Sequence, residues 1–225
     1  MASIRLVKFR NEYIYHIYNR GVERRPIFLS TLDRERFTML LEYYRFQHVP
    51  KSFSQYLDLP ISERMTYFES LQSLPHAIDI LAYCLMPNHF HLLIRQKKDQ
   101  GIVDALSIIS NSYAKYFNVK DKRVGPLFQG PFKAVRIESD EQLMHVSRYI
   151  HINPVTNGVI DESALFSFPW SSLPVYVGQQ SSRWIEHRTI TDLFRSRNEY
   201  RKFVIDQIDY GKKLEMIKHV VLEEV

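Results

Sequence analysis

The stretch that decides the fold runs from Ala77 to Gln96 and reads "AIDILAYCLMPNHFHLLIRQ". Two runs rich in β-forming residues flank a Pro-Asn pair, which favours a tight turn, so the stretch predicts a β-hairpin. Side chains two residues apart in a strand lie on the same face, so His89 and His91 are expected side by side on the second arm. Two imidazoles in this arrangement can bind a metal ion.

The segments around the hairpin predict an α+β fold. Alternating polar and apolar residues indicate a first strand, helical spacing indicates three main helices, and the pattern places one more strand before the last of these helices. The order strand, helix, two strands, helix, strand, helix matches a ferredoxin-like split βαβ sandwich, an antiparallel sheet with helices on one face. The elements predicted outside the hairpin are strands at 13–18 and 131–139 and helices at 33–47, 102–120 and 139–154.

The chain divides into a main part and two additions. Residues 1–165 are predicted to form the main domain, since they contain the complete pattern of strands and helices. Residues 48–77 carry three prolines around a short helical segment and are interpreted as an insertion in that domain. Residues 166–225 are an aromatic segment followed by mostly helical sequence, which predicts a helical C-terminal extension.

Composition limits the classes of protein that fit. With 225 residues, 45% of them hydrophobic, the chain can bury a full core. Thirty Lys and Arg against 25 Asp and Glu give a formal charge of +5, which mildly favours a polyanionic partner. The single cysteine, Cys84, excludes an internal disulfide, and no apolar run of about 18 residues indicates a membrane span. We therefore expect a cytoplasmic protein that does not associate with membranes.

The last main helix offers partners for the two histidines. Tyr149 and Asn153 are four residues apart, so a phenol and an amide oxygen project from one face of this helix. Two imidazoles with an oxygen donor favour Mg²⁺ or Mn²⁺ and leave coordination positions open for a substrate. Asn153 is therefore the candidate third ligand beside His89 and His91, and Tyr149 is the candidate nucleophile.

Four motifs in this order resemble a known family. "PNHFHLL" resembles the His-hydrophobe-His motif of the HUH single-strand endonucleases. Together with "GPLFQGPFKAVRIES", "RYIHINPV" and "FPWSS", it is similar to the single-tyrosine transposases, specifically the REP-associated tyrosine transposases. The likeness extends from about Tyr13 to Trp170.

The resemblance implies a divalent-metal-dependent enzyme that cuts and rejoins single-stranded DNA beside a hairpin of REP-like or transposon-end type. By position, Tyr149 is the nucleophile that forms a 5′-phosphotyrosine and releases a 3′-OH. His89, His91 and Asn153 are the ligands of Mg²⁺ or Mn²⁺. Some relatives have Gln at the last position, which leaves His151 or water as a substitute for Asn153. Relatives with one tyrosine per subunit include monomers and homodimers.

A DNA-binding role requires a basic surface with aromatic rings, which neutralises phosphates and stacks unpaired bases. Such residues cluster in and around the loop between the second main helix and the last strand, and a second patch follows the first strand. The candidates in the loop region are Lys115, Lys120, Lys122, Arg123, Phe128, Lys133 and Arg136, and the second patch contains Arg20, Arg24 and Arg25.

Several of these residues have simpler interpretations. Tyr113 and Tyr116 also lie on a predicted helix and are rival nucleophiles, although their spacing fits a packed face equally well. The basic loop is also compatible with a solvated surface that binds nothing.

Two other function classes stay open. A metal-dependent hydrolase would use the same histidines to activate water, would survive loss of Tyr149 and would form no covalent adduct. A catalytically silent regulator would bind hairpin DNA or RNA without cleaving it and would tolerate His89→Ala.

Overall fold

The computed structural model describes residues 7–212, and a four-stranded antiparallel sheet forms its centre. The strands are β1 (Ile14–Arg20), β2 (Ile78–Met86), β3 (His89–Gln96) and β4 (Lys133–Arg136). They lie in the order β2, β3, β1, β4, so β3 is interior and pairs with β2 and β1. This order is that of a ferredoxin-like sheet, and it confirms the predicted α+β class.

Within residues 7–212, eight α-helices connect and cover the strands. They are α1 (Thr31–Tyr43), α2 (Phe53–Leu57), α3 (Ile61–Leu71), α4 (Gly101–Lys120), α5 (Asp140–Thr156), α6 (Leu173–Tyr176), α7 (Arg188–Thr191) and α8 (Arg197–Ile205). Short 3₁₀ segments lie at Val22–Arg24 and Glu162–Ser167. None of the helices between residues 7 and 212 is long and apolar enough to cross a membrane.

The two faces of the sheet pack against different helices because the side chains of β3 alternate. Phe90 faces α1, with its ring centre 5.0 Å from that of Phe37, and Tyr113 of α4 packs on the same Phe37 at 5.1 Å. His91 faces the other way, toward α5, where the ring centre of Tyr149 lies 5.4 Å away. The prediction that the helices lie on one face of the sheet therefore holds for α1 and α4, whereas α5 packs on the opposite face.

The ends of α5 test the prediction made from its capping residues. The Ser139 hydroxyl accepts a hydrogen bond from the main-chain N–H of Gln142 at 3.1 Å, so the predicted start is confirmed. The predicted stop at Asn153-Pro154 is wrong, since the helix continues to Thr156. Pro154 removes one helical N–H, but its carbonyl accepts hydrogen bonds from residues 159 and 160, and its side chain is buried. Packing of the buried Pro154 therefore outweighs the tendency of an Asn-Pro pair to end a helix.

The described part of the C-terminal extension packs into the same core. The main-chain N–H of Leu85 in β2 donates to the carbonyl of Trp170 at 2.8 Å, and that of Ser172 donates to the carbonyl of Tyr83 at 3.0 Å. Tyr200 of α8 is fully buried. The division at residue 165 and the insertion at 48–77 stay predictions, and residues 213–225 of the predicted extension lie outside the described residues.

Candidate active site

A cleft of about 520 Å³ opens between the histidine face of the sheet and α5. Its lining contains the four residues predicted for catalysis and metal binding, together with three of the basic residues predicted to contact DNA. The lining residues are Tyr18, Asn19, Arg20, Arg24, Asn88, His89, His91, Gln129, Pro131, Lys133, Tyr149, Asn153 and Asn157. Residues far apart in the sequence therefore meet in one cavity.

The two histidines enter the cleft from β3 as its alternation predicts. His89 pairs with Arg20 of β1, and His91 pairs with Tyr18. The imidazole ring centres are 5.0 Å apart with their planes perpendicular. The Pro-Asn turn places Asn88 beside the first of them, with the Asn88 Oδ1 2.6 Å from the Nδ1 of His89.

Helix α5 supplies a phenol and an amide, one turn apart. Tyr149 is 38% exposed, and its ring stands edge-on to His91, so its hydroxyl group is within reach of a substrate in the cleft. Asn153 is only 1% exposed. The Asn157 side-chain amide donates to the Oδ1 of Asn153 at 3.2 Å and to its carbonyl at 3.0 Å, which orients the Asn153 amide.

The donor set of the cleft fits a hard or borderline divalent cation. Among residues 7–212, no group of three or more His, Cys, Asp or Glu side chains is placed to hold a metal. His89, His91 and Asn153 supply two imidazole nitrogens and one such oxygen from the lining of one cavity. A neutral set of this kind suits Mg²⁺ or Mn²⁺ and leaves positions for phosphate oxygens.

His16 stands behind the metal candidates and was not predicted as a site residue. Its Nε2 lies 2.9 Å from the Nδ1 of His91, and the two rings stack with centres 5.1 Å apart. Burial lowers the pKa of His16 to about 4, so its ring is neutral at physiological pH. The alternation of β1 places His16 on the same face as Tyr18, but its contact with His91 follows only from the strand register.

His151, the predicted substitute for Asn153, lies in the core and outside the cleft lining. Its side chain is fully buried, and both ring nitrogens are engaged. The Nδ1 lies 2.7 Å from the hydroxyl of Tyr200, and the Nε2 lies 2.8 Å from the hydroxyl of Ser172. Burial lowers the pKa of His151 to about 3. The ring therefore ties α5 to the C-terminal extension.

The rival tyrosines lie on the other side of the sheet. Tyr113 is fully buried, and its hydroxyl donates to the carbonyl of Ile27 at 2.5 Å. The Tyr116 hydroxyl donates to the Asp33 carboxylate at 3.1 Å. Burial raises the pKa of both phenols. Both rings belong to the packing between α1 and α4, as their spacing allowed.

The predicted basic surface is divided in the structure. Arg20 and Lys133 lie at the cleft, where Arg20 donates a hydrogen bond to the side chain of Gln129. Lys120 instead forms an ion pair with the buried carboxylate of Asp33, in the first turn of α1. The exposed side chains of Lys115 and Lys122 also lie outside the cleft lining.

Three further predicted DNA contacts have structural partners. Arg123 donates to the Oδ1 of Asn118 at 2.8 Å, and the guanidinium of Arg136 lies 4.2 Å from the ring centre of Tyr13. Phe128 is only 8% exposed, and its ring packs against Phe90 in the core. Its role as a DNA contact stays a prediction.

Comparisons with known proteins show the family and the fold of this chain. The family model described as "Transposase IS200 like" matches residues 38–153, a segment that contains His89, His91, Tyr149 and Asn153. The solved structure of a REP-associated tyrosine transposase bound to a REP hairpin is similar, with a TM-score of 0.54. It is 16% identical in sequence, and the alignment covers 83% of this chain and 98% of the other, so the two share a fold. No curated protein sequence matches this chain.

Proposed function

This chain belongs to the IS200-like transposase family, and from that premise we propose that it is a metal-dependent nuclease and strand transferase acting on single-stranded DNA. Tyr149 is proposed as the nucleophile. The observation that carries the proposal is its position on α5: its ring lies 5.4 Å from that of His91, in a cleft that Asn153 also lines. A nucleophile beside a candidate metal site is the arrangement that covalent phosphoryl transfer requires.

In the proposed reaction, the Tyr149 hydroxyl oxygen attacks a backbone phosphorus. A bond forms between that oxygen and phosphorus, and the bond from phosphorus to the 3′ oxygen breaks. The phenol loses its proton, and the departing 3′ oxygen takes one up, so the products are a 5′-phosphotyrosine and a 3′-OH. Because a phosphodiester is exchanged for a phosphodiester, a 3′-OH of another DNA end can reverse the step without ATP.

The remaining cleft residues bind and orient the DNA. His89, His91 and Asn153 would hold Mg²⁺ or Mn²⁺, which when bound supplies Lewis-acid stabilisation of the charge that develops on the phosphate. Arg20 and Lys133, at the rim of the cleft, are proposed to neutralise the flanking phosphates.

We propose single-stranded DNA carrying a hairpin, of REP-like or transposon-end type, as the substrate. The similar solved structure is that of a protein bound to a REP hairpin, and the cleft beside Tyr149 is also lined by the basic residues Arg20 and Lys133. The net charge of +5 favours such a polyanion. The protein is proposed to act in the cytoplasm as a monomer or homodimer.

The direct test uses labelled hairpin oligonucleotides with Mg²⁺ or Mn²⁺, followed on a denaturing gel. Wild type and the control Tyr210→Phe, an exposed tyrosine outside the cleft, are expected to cleave and to form a protein-DNA adduct. Tyr149→Phe is expected to bind DNA without either product. Cleavage by Tyr149→Phe would indicate a hydrolase, and binding without cleavage by wild type across a wide oligonucleotide set would indicate a regulator.

A further inference from the structure

Each candidate ligand histidine meets a second polar side chain at its Nδ1. The Nδ1 of His89 lies 2.6 Å from the Oδ1 of Asn88, and the Nδ1 of His91 lies 2.9 Å from the Nε2 of His16. The two contacts come from different elements, the Pro-Asn turn and β1. In both imidazoles, the atom that is contacted is Nδ1.

The contact of Asn88 fixes the proton of His89. The Nδ2 of Asn88 donates to the carbonyl of Arg24 at 3.1 Å, so its amide oxygen is the atom turned to His89. An amide oxygen only accepts, so the Nδ1 of His89 must donate and carry the proton. A neutral imidazole has one N–H, and its lone pair is then on Nε2.

The loop that holds Asn88 has an unusual backbone. Glu23 and Arg24 both have positive φ angles, 57° and 58°, a region that residues with side chains rarely adopt. This turn directs the Arg24 carbonyl to the Asn88 amide. The main-chain N–H of Gly21 also donates to the carbonyl of Asn88 at 2.8 Å. The loop is therefore bound to the turn by main chain and side chain together.

The contact of His16 has two possible directions, and only one suits a metal ligand. If His16 donated from Nε2, the Nδ1 of His91 would carry the lone pair and its Nε2 the proton. If His16 accepts, the Nδ1 of His91 carries the proton and its Nε2 carries the lone pair. When His16 accepts, His91 has the same tautomer as His89, with the proton on Nδ1 and the lone pair on Nε2.

We infer that Asn88 and His16 are positioning residues of the metal site: each accepts a hydrogen bond from the Nδ1–H of one ligand histidine and so leaves the lone pair of that ring on Nε2 for coordination. This inference rests on the proposed function. Metal-bound histidines commonly donate their second N–H to such a partner, which sets the tautomer and the ring orientation. Loss of that partner typically weakens metal binding about 10–100-fold.

The test measures Mn²⁺ affinity of the full chain by electron paramagnetic resonance, without DNA. His16→Phe and Asn88→Leu remove the acceptor and are expected to weaken Mn²⁺ binding about 10–100-fold. In the matched variants His16→Gln and Asn88→Asp, a side-chain oxygen can accept the hydrogen bond in place of the original atom, so both are expected to bind Mn²⁺ far more tightly than their apolar counterparts. Circular dichroism compares the folding of all four variants.

The outcomes separate this inference from the proposed function. Mn²⁺ binding by wild type with equal affinity in His16→Phe and Asn88→Leu would overturn the inference and leave the proposed metal site standing. No Mn²⁺ binding by wild type would overturn both. Nitrogen-15 NMR of metal-free wild type gives an independent reading: His89 and His91 are expected with the proton on Nδ1, and a proton on Nε2 of either would contradict the inference.

Discussion

Replacing His151 with Phe tests how α5 is held over the sheet. The ring of His151 contacts the hydroxyl of Tyr200 at 2.7 Å and that of Ser172 at 2.8 Å. Tyr200 belongs to α8, and Ser172 follows the segment paired with β2. A phenyl ring fills a similar volume but can make neither hydrogen bond, so this substitution isolates the polar contribution.

The expected loss of unfolding free energy in His151→Phe depends on the hydrogen bonds that Tyr200 and Ser172 keep. The Tyr200 hydroxyl keeps its contact with the Ser147 hydroxyl at 3.1 Å, and the Ser172 hydroxyl still accepts from the main-chain N–H of Tyr83 at 2.9 Å. Neither group is left without a partner, so the full penalty for an unsatisfied buried group does not apply. Two hydrogen bonds at about 0.5–1.5 kcal/mol each give a loss of about 1–3 kcal/mol near pH 7.5.

The loss depends on pH because burial lowers the pKa of His151 to about 3 from 6.5. Above pH 6.5 the ring is neutral in both states, and its contribution to stability is complete. As the pH falls below 6.5, the unfolded chain takes up a proton that the folded ring does not, so this contribution declines toward pH 3. At about 1.4 kcal/mol per pH unit, wild type loses about 2 kcal/mol from this residue between pH 7.5 and 5.

The assay is urea unfolding of wild type and His151→Phe at pH 7.5 and pH 5. The variant lacks the titrating ring, so the difference in unfolding free energy is expected to shrink by about 2 kcal/mol at the lower pH. Tyr200→Phe is the matched control, since it removes one hydrogen bond but retains His151 and the pH dependence. A difference that is the same at both pH values would refute the reasoning.

Three further perturbations probe the core, the DNA-binding rim and the metal. Phe128→Ala is expected to lower the unfolding free energy by about 3–5 kcal/mol, because the ring is buried; a loss below about 1 kcal/mol in urea unfolding would contradict its place in the core. Arg20→Ala and Lys133→Ala are each expected to weaken hairpin binding and to reduce the slope of log affinity against log salt by about 0.7, and an unchanged slope by fluorescence anisotropy would exclude phosphate contact. EDTA is expected to abolish cleavage while hairpin binding persists, and cleavage at the wild-type rate in EDTA would exclude metal dependence.

Local sequence patterns were sufficient to predict the sheet and to identify His89, His91, Tyr149 and Asn153 as candidates for one site. The hairpin depends on a turn between two β-rich runs, and α4 depends on apolar spacing, so neither requires knowledge of distant contacts. His89 and His91 share one face of a strand because side chains alternate along it, and Tyr149 and Asn153 share one face of a helix because they are four residues apart. These four residues therefore appeared as candidates before the fold was known.

Features that depend on tertiary packing were not predictable in the same way. The contact of His16 with His91 requires the β1-β3 register, and the two residues are 75 positions apart in the sequence. Phe128 lies in a Gly- and Pro-rich loop that looks exposed, yet its ring packs against Phe90. The continuation of α5 through Pro154 likewise depends on buried neighbours that the local sequence does not show.

The most direct measurement of the central claim is mass spectrometry of the protein after reaction with hairpin DNA and Mn²⁺. Nuclease and protease digestion would leave a nucleotide on the attacking residue. The account predicts a 5′-linked nucleotide on the peptide that contains Tyr149, dependent on the metal. A nucleotide on any other residue, or cleaved DNA with no modified peptide, would contradict it.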